Sequence, residues 1–236
     1  MRGGGLKTAT DEDIRRLEDI YKVSFVFDFR TEGEVKHAPD IALKACRHLW
    51  LPTIDEKTEK VKEFSLPKEA YSCLDKYVVE HAQEHSVQDI ARRMYPTIVS
   101  NEYTQLQYAA FLQEIVMNVN GVFYWHCSQG KDRTGMGAAF LLAALGADRD
   151  LIIRDFELSN EYYRELIDKL CNLVASKGGD EEALKVIMTF VGVNTEYFID
   201  ALNIIDSNYG GMDRYLRNEL CLSDDDIQVL RDRLLE

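Results

Sequence analysis

The stretch "HCSQGKDRTG" (residues 126–135) separates an apolar run, "GVFYWHC" (121–127), from a helix-like run, "TGMGAAFLLAAL" (134–145). The first run is aromatic and β-branched, which is typical of a buried strand. A helix that follows at once would point its N-terminal amides back at the turn, where they attract anions. A cysteine at the end of the strand, followed by a charged turn, therefore predicts phosphate chemistry at this point of the fold.

The residue types of the turn suit a phosphate dianion. Cys127 is the candidate nucleophile, because the dipoles that hold an anion also favour a thiolate. Arg133 can bind two phosphate oxygens through its planar fork, which a lysine cannot do. Gly130 permits the bend. Consecutive backbone N–H groups can converge on the phosphate oxygens, namely those of Ser128, Gln129, Gly130 and Lys131.

The composition is that of an ordinary globular protein, with 46% hydrophobic and 29% charged residues. The formal net charge of −13 argues against a nucleic-acid partner and against attraction to an anionic membrane. The longest apolar run (136–145) is about half the ~20 residues of a spanning helix, so no stable membrane insertion is expected. No signal peptide is visible, which favours a cytoplasmic location, although secretion by a route without such a signal stays open.

The five cysteines are widely spaced and form no CxxC pair. This pattern indicates neither a disulfide framework nor a zinc ribbon, and it favours a reducing compartment. His81 and His85 lie four residues apart on a predicted helix, a spacing that can hold zinc, but no third ligand is evident. We therefore expect no metal and no cofactor.

The rest of the chain predicts an α/β fold with a central, mostly parallel sheet flanked by helices. Thr10 is expected to cap a first helix, and strands are expected at 23–30 and 47–52. A helical insertion at about 55–119, broken at Pro96, separates them from the strand at 121–127. The C-terminal third has helical periodicity. Because the chain contains neither an internal repeat nor a linker, we predict that residues 1–236 form one domain.

A cysteine followed by five residues and an arginine, with His before and Thr-Gly after, resembles the signature of the cysteine-dependent protein tyrosine phosphatase superfamily. "VFDFRTEGE" (26–34), "LSNEYY" (158–163) and the segment 209–235 resemble its bacterial tyrosine/serine branch, which has dual- or triple-specificity, phosphoinositide-capable members. That branch usually begins with a strand carrying "FRDLGG". Here "MRGGGL" (1–6) has no secondary-structure pattern, so this first strand is expected to be lacking.

The resemblance also implies roles in the loop. Cys127 would attack phosphorus to form a cysteinyl-phosphate, and Arg133 would bind the phosphoryl oxygens. His126 would orient the loop, and Thr134 would donate a hydrogen bond to the thiolate. Gly135 completes the set of expected substrate-binding positions.

The general acid is less directly indicated. Many relatives carry an aspartate roughly thirty residues upstream of the cysteine, but no Asp lies between Asp89 and Asp132. The resemblance to the Gly-Lys-Asp-Arg-Thr branch therefore implies Asp132 as the proton donor, with Glu102 and Glu114 as alternatives.

Three other residues have two interpretations each. Lys131 is expected to add charge at the pocket mouth, where it would read extra phosphates, or else to be a solvated turn residue. Asp28 and Arg30 end a strand at the edge where α/β sheets bind ligands, so Arg30 either braces the phosphate loop or forms a plain ion pair.

The leading functional prediction is a metal-independent phosphomonoesterase of the protein-tyrosine-phosphatase type. Its expected substrates are phosphotyrosine in peptides or proteins, with phosphoserine, phosphothreonine and soluble phosphoinositides as further candidates. The alternatives are a sulfur-transfer or arsenate-reductase-type enzyme, or an inactive phosphate-binding module on the same loop. No second cysteine lies close to Cys127 in sequence, and the loop is intact, which argues against both alternatives.

Overall fold

The computed structural model describes residues 1–55 and 85–235. Its strands are β1 (Arg2–Gly3), β2 (Phe25–Asp28), β3 (Arg47–Trp50) and β4 (Phe123–His126). Its α-helices are α1 (Asp11–Arg15), α2 (Glu32–His37), α3 (His85–Ser100), α4 (Glu102–Met117), α5 (Asp132–Ala144), α6 (Arg149–Tyr162), α7 (Arg164–Ser176), α8 (Glu181–Phe190), α9 (Thr195–Tyr209), α10 (Met212–Asn218) and α11 (Asp224–Leu234). None of these helices combines the length and the apolar character needed to cross a bilayer.

The described strands form a parallel sheet in the order β1-β4-β2-β3, which confirms the predicted α/β class. In register, Asp28 at the end of β2 lies beside His126 on one neighbour and Trp50 on the other. The strands are shorter than predicted, although residues just outside them still make backbone hydrogen bonds to the neighbouring strands, such as the Phe29 N–H to the His126 carbonyl at 2.9 Å. Their carboxyl ends meet at one edge, where ligands of open α/β sheets bind.

The opening segment corrects one prediction. Residues expected to lack secondary structure include β1, in which Arg2 and Gly3 pair in parallel with Trp125 and His126. A two-residue strand thus lies at the edge of the sheet, where the first strand was expected to be lacking. Three glycines in a row have no strand propensity, so it is pairing with β4, and not local sequence, that makes this segment extended.

Helices α3 and α4 lie within the predicted helical insertion, of which residues 56–84 are outside the described part of the chain. The predicted break at Pro96 was wrong. Pro96 lies inside α3, which continues to Ser100, and the interruption comes at Asn101, the N-cap of α4. Tyr95 and Ile98, on either side of the proline, are each only 1% exposed, so core packing keeps this turn helical.

The C-terminal third is helical, as predicted, with one further break. A single helix was expected over 159–176, but Tyr163 separates α6 from α7. Helices α7 and α8 enclose a small apolar cluster of their own, which includes Ile167, Leu170 and Ile187. This helical pair therefore packs partly on itself and partly on the loop described below.

Helices α4 and α5 position the strand ends. Phe111 of α4 contacts Phe27 and Phe29 edge-on, with ring centroids 5.1 and 5.2 Å away. Helix α5 comes close to the same aromatic layer, because a Cβ on Gly137 would lie 3.1 Å from the Phe29 ring. The helix that follows the loop is thereby held against the sheet.

Candidate active site

The loop between β4 and α5 carries the predicted nucleophile at its start. Cys127 directly follows β4 and is 2% exposed, while α5 begins at Asp132, close to the predicted start. The backbone N–H of Gly130 donates to the Cys127 sulfur at 3.3 Å. Gly130 has φ +73°, a left-handed conformation that favours glycine. The turn therefore wraps around the sulfur in the way that anion binding requires.

Segments distant in sequence pack on the other side of the loop. The N–H of Gly5 donates to the Ser128 carbonyl at 3.2 Å, and the Tyr163 hydroxyl donates to the Gln129 carbonyl at 2.7 Å. Burial raises the pKa of Tyr163 to about 12, which keeps its hydroxyl a donor at neutral pH. The carbonyls of Ser128 and Gln129 are thus satisfied from outside the loop, and the Gly130 amide is directed at the sulfur.

Arg133 is held by a carboxylate that the sequence analysis did not single out. Its two terminal nitrogens each donate to Glu34 at 2.7 Å, and its carbonyl accepts from Tyr108 at 2.8 Å. Burial alone would raise the pKa of Glu34, but the charge and hydrogen bonds of Arg133 lower it to about 2. The Ser128 hydroxyl also donates to Glu34, so this one carboxylate holds both ends of the loop.

A sequence signal for Glu34 did exist. Thr31 and Glu34 have the spacing of a capping box at the start of α2, and the structure contains that box. One carboxylate oxygen of Glu34 accepts a hydrogen bond from the Thr31 N–H at the start of α2. Both oxygens accept hydrogen bonds from the phosphate loop. Glu34 was quoted in the segment 26–34, but the prediction stopped at Asp28 and Arg30.

Asp132, the expected proton donor, lies in the first turn of α5 with its side chain 20% exposed. Its Oδ1 accepts a hydrogen bond from the hydroxyl of Tyr95, which comes from α3. The carboxylate is thus joined to α3, and its role as the proton donor stays a prediction. Tyr95 was not anticipated, because 37 residues separate it from Asp132.

Lys131 lies elsewhere than predicted. It is 2% exposed, and its ammonium donates to the carbonyls of Phe190 and, at 2.6 Å, of Gly192, just after α8. Burial lowers its pKa. The prediction of an exposed cation at the pocket mouth was wrong, because the carbonyls at the end of α8 offer this ammonium a better site than water.

Two residues after Arg133 differ from their implied roles. The predicted hydrogen bond from Thr134 to the thiolate is not formed: its buried hydroxyl has no hydrogen-bond partner among the described residues. The Gly130 amide contacts the sulfur instead. Gly135 is required for packing, since a Cβ there would lie 2.7 Å from the Phe156 ring.

His126 is fully buried beneath the loop, as expected for an orienting residue. Its Nδ1 lies 3.1 Å from the Cys127 carbonyl and its Nε2 lies 3.2 Å from Asp40. Burial would raise the pKa of Asp40, but His126 and Arg30 outweigh this effect and lower it. Arg30 donates to Asp28 and Asp40, so the ion-pair interpretation holds, and its bracing of the phosphate loop stays a prediction.

The same cluster is the best metal candidate in the described part of the chain. Ligand atoms of Asp28, Asp40 and His126 lie within 4.8 Å of one another. The Arg30 guanidinium already contacts the two carboxylates at 2.7 and 2.6 Å. The positive charge of this cluster is therefore the arginine, and the residues do not fit a metal ion. His81, half of the zinc alternative, lies outside the described residues.

The alternative proton donors differ in position from Asp132. Glu114 accepts from Arg47 at 3.2 Å. Arg47 is the first residue of β3 and so lies at the amino ends of the parallel strands, whereas Cys127 follows a carboxyl end. Glu102 is an exposed residue in the first turn of α4. Of the three carboxylates, Asp132 is the one on the phosphate loop.

The chain is similar in sequence to three curated phosphatases. Over 102 residues the chain is 36% identical to the triple specificity protein phosphatase PtpB of Mycobacterium tuberculosis, covering 39% of this chain and 37% of the relative. It is 29% identical over 136 residues to a tyrosine-protein phosphatase of Nostoc commune, covering 56% and 45%. A Cupriavidus necator protein provisionally named a tyrosine-protein phosphatase is 26% identical over 222 residues, covering 93% and 73%.

The chain thus aligns with less than half the length of two of these relatives. A family model described as the tyrosine phosphatase family matches all of residues 1–236. The match includes every loop residue placed above. This chain therefore belongs to the tyrosine phosphatase family.

Proposed function

We propose that this chain is a metal-independent phosphomonoesterase, of one domain, that hydrolyses phosphotyrosine with Cys127 as nucleophile. The observation that carries the proposal is the loop around the Cys127 sulfur, where the Gly130 amide contacts the sulfur and the N-terminus of α5 follows. Such a site neutralises an anion with amides and Arg133, so the protein itself supplies the positive field that a metal supplies elsewhere.

In the first step the Cys127 sulfur attacks phosphorus, the S–P bond forms and the P–O bond to the tyrosine breaks. Asp132 gives its proton to the departing phenolic oxygen. The loop amides and Arg133 hold the three equatorial oxygens, on which charge builds up. Because Glu34 accepts from both terminal nitrogens of Arg133, and the Phe29 carbonyl also accepts from Nη1 at 3.4 Å, the guanidinium is held in one orientation.

In the second step water attacks phosphorus, the O–P bond forms and the S–P bond breaks, which returns the thiolate. The proton of the water goes to Asp132, which is thereby ready for another cycle. The cycle balances without an outside oxidant or reductant. Arsenate reduction needs an outside reductant, sulfur transfer needs a sulfane-sulfur donor and an acceptor, and an inactive binding module would not need an intact nucleophile, acid and arginine.

The proposed substrate is phosphotyrosine in a peptide or protein. Activity on phosphoserine, phosphothreonine or soluble phosphoinositides has its support in the likeness to a triple-specificity phosphatase. Lys131 adds no support for phosphoinositides, since its ammonium is bonded to backbone carbonyls. We place the protein in a reducing compartment such as the cytoplasm, because its described cysteines are free thiols.

Turnover of a phosphotyrosine peptide in the presence of EDTA tests the proposal. Wild type is expected to keep its activity, and Cys127→Ser to fall to background while still binding the peptide in calorimetry, since a hydroxyl is a poor nucleophile without a base. Cys221→Ser is the control, because Cys221 is an exposed thiol outside the phosphate loop. Inactivation by EDTA, or turnover by Cys127→Ser, would overturn the proposal.

A further inference from the structure

The ring of Tyr95 is fixed by core packing, and its hydroxyl is directed at Asp132, at the end of the phosphate loop. The residue lies on α3 and is 1% exposed. Its ring packs edge-on against Phe156, with centroids 6.0 Å apart at 80°, and lies 6.5 Å from the Tyr197 ring. The direction of the hydroxyl is therefore determined by aromatic packing and not by the loop it contacts.

The two oxygens of Asp132 have different surroundings. Oδ1 accepts from the Tyr95 hydroxyl, whereas Oδ2 lies 4.0 Å from the ammonium of Lys131. Burial first, and then the charge of Asp132, raise the pKa of Tyr95 well above its ordinary value. The phenol thus stays protonated at physiological pH and can act towards Asp132 as a hydrogen-bond donor.

We propose that Tyr95 is a positioning residue for the proton donor: it occupies Oδ1 of Asp132 and leaves Oδ2 as the oxygen that gives and takes the proton. The inference rests on the proposed function, in which Asp132 is the acid. When Oδ2 releases its proton to the phenolic oxygen, the Tyr95 hydroxyl remains bonded to the carboxylate that forms. When water attacks the cysteinyl-phosphate, the same oxygen takes the proton back.

This role differs measurably from a purely structural one. A proton donor matters for a leaving group such as phenol and hardly at all for an activated phenol such as 2,4-dinitrophenol. Loss of a core hydrogen bond would instead lower the activity on both substrates by the same factor. The ratio of the two kcat values therefore separates the two roles.

The experiment compares kcat for phenyl phosphate and 2,4-dinitrophenyl phosphate in wild type, Tyr95→Phe and Tyr215→Phe. Tyr215 is a matched control because it is fully buried and its hydroxyl also donates to one acceptor, the Val99 carbonyl at 2.9 Å, away from the loop. Tyr95→Phe is expected to lose about tenfold or more on phenyl phosphate and less than about threefold on the activated ester. Tyr215→Phe should change both by one factor.

Asp132→Asn is the benchmark in the same assay, with an expected loss of about 10²-fold or more on phenyl phosphate alone. If Asp132→Asn shows no leaving-group dependence, the acid assignment of the proposed function is wrong. If it does and Tyr95→Phe does not, the inference on Tyr95 is overturned while the assignment stands.

Chemical unfolding of both phenylalanine variants shows whether each is folded under assay conditions. A second variant covers the case in which Tyr95→Phe does not fold. Tyr95→His keeps a ring N–H donor, so it should recover part of the activity on phenyl phosphate. A folded Tyr95→His that loses both activities equally would overturn the inference as well.

Discussion

The carboxylate of Glu34 and the guanidinium of Arg133 are joined by two parallel hydrogen bonds of 2.7 Å, across 99 residues of sequence. Both residues are buried, with Glu34 at 7% and Arg133 at 8% exposure. A bidentate pair of this kind fixes the plane of the guanidinium as well as its position. The arginine that is proposed to bind the phosphoryl group is thus oriented before any substrate arrives.

The Glu34–Arg133 pair makes stability depend on pH. The pKa of Glu34 falls from 4.5 to about 2 on folding, so its contribution is complete above about pH 4.5 and is lost as the pH falls through about 2. A shift of this size corresponds to roughly 3 kcal/mol of unfolding free energy. Glu34→Gln should therefore be less stable at pH 7 and lose less stability on acidification than wild type, as measured by urea unfolding at a series of pH values.

Glu12→Gln is the control for this measurement. The pKa of Glu12 is also lowered to about 2, by hydrogen bonds from Arg15 and Arg16, but that cluster is exposed and is screened by salt. In 0.5 M salt (about 5 Å of screening length), Glu12→Gln should follow the wild-type curve. A Glu34→Gln curve parallel to wild type between pH 5 and 2 would show that the pair does not couple folding to protonation.

Lys131→Met should lower activity on phosphotyrosine and on soluble phosphoinositides by similar factors. The substitution keeps the approximate length of the side chain but leaves the carbonyls of Phe190 and Gly192 without their donor. The cost in stability is about 1–3 kcal/mol. Faster amide hydrogen exchange just after α8 should accompany the loss. A loss on phosphoinositides alone would instead mean that Lys131 leaves these carbonyls to bind a substrate phosphate.

Gly130→Ala should disable the loop. A Cβ at this position would lie 2.1 Å from the carbonyl carbon and oxygen of Gly3, in addition to the strain of φ +73°. Because the loop must shift away from β1, kcat should fall by about 10²-fold. Steady-state kinetics on a phosphotyrosine peptide measures the effect.

Gly178→Ala separates the backbone strain from the collision. Gly178 has φ +82°, but nothing lies within 4 Å of its Cβ position. This variant should lose about 1 kcal/mol of stability with no change in kcat. Equal effects of the two variants on kcat would mean that the contact with β1 does not hold the loop.

Much of the site could be predicted from sequence because it is local. The residues from His126 to Gly135 stand together in the chain, between a strand and a helix whose patterns are visible on either side. The position of Cys127 at the strand end, the bend at Gly130 and the start of α5 within a residue or two all follow from neighbours in sequence. The cap at Thr10 is local too, and the structure contains it.

The errors came where contacts with distant parts of the chain decide the local structure. Lys131 was assigned to the pocket mouth, but carbonyls 59 and 61 residues away bind its ammonium. Pro96 was taken as a helix end, but the core contacts of its neighbours outweigh the hydrogen bond that proline removes. No pattern over ten or twenty residues contains the carbonyls that bind Lys131 or the core that surrounds the neighbours of Pro96.

By itself, therefore, the sequence determined the chemistry of the loop, the α/β order of the elements and the family to which the chain belongs. Only the tertiary structure decided how the loop residues are held: Arg133 by Glu34, Asp132 by Tyr95 and Lys131 by the end of α8. The physical reason is that a turn or a cap is made by residues within reach along the chain, whereas the partner of a buried charge is chosen by packing, which brings together groups that the sequence keeps far apart.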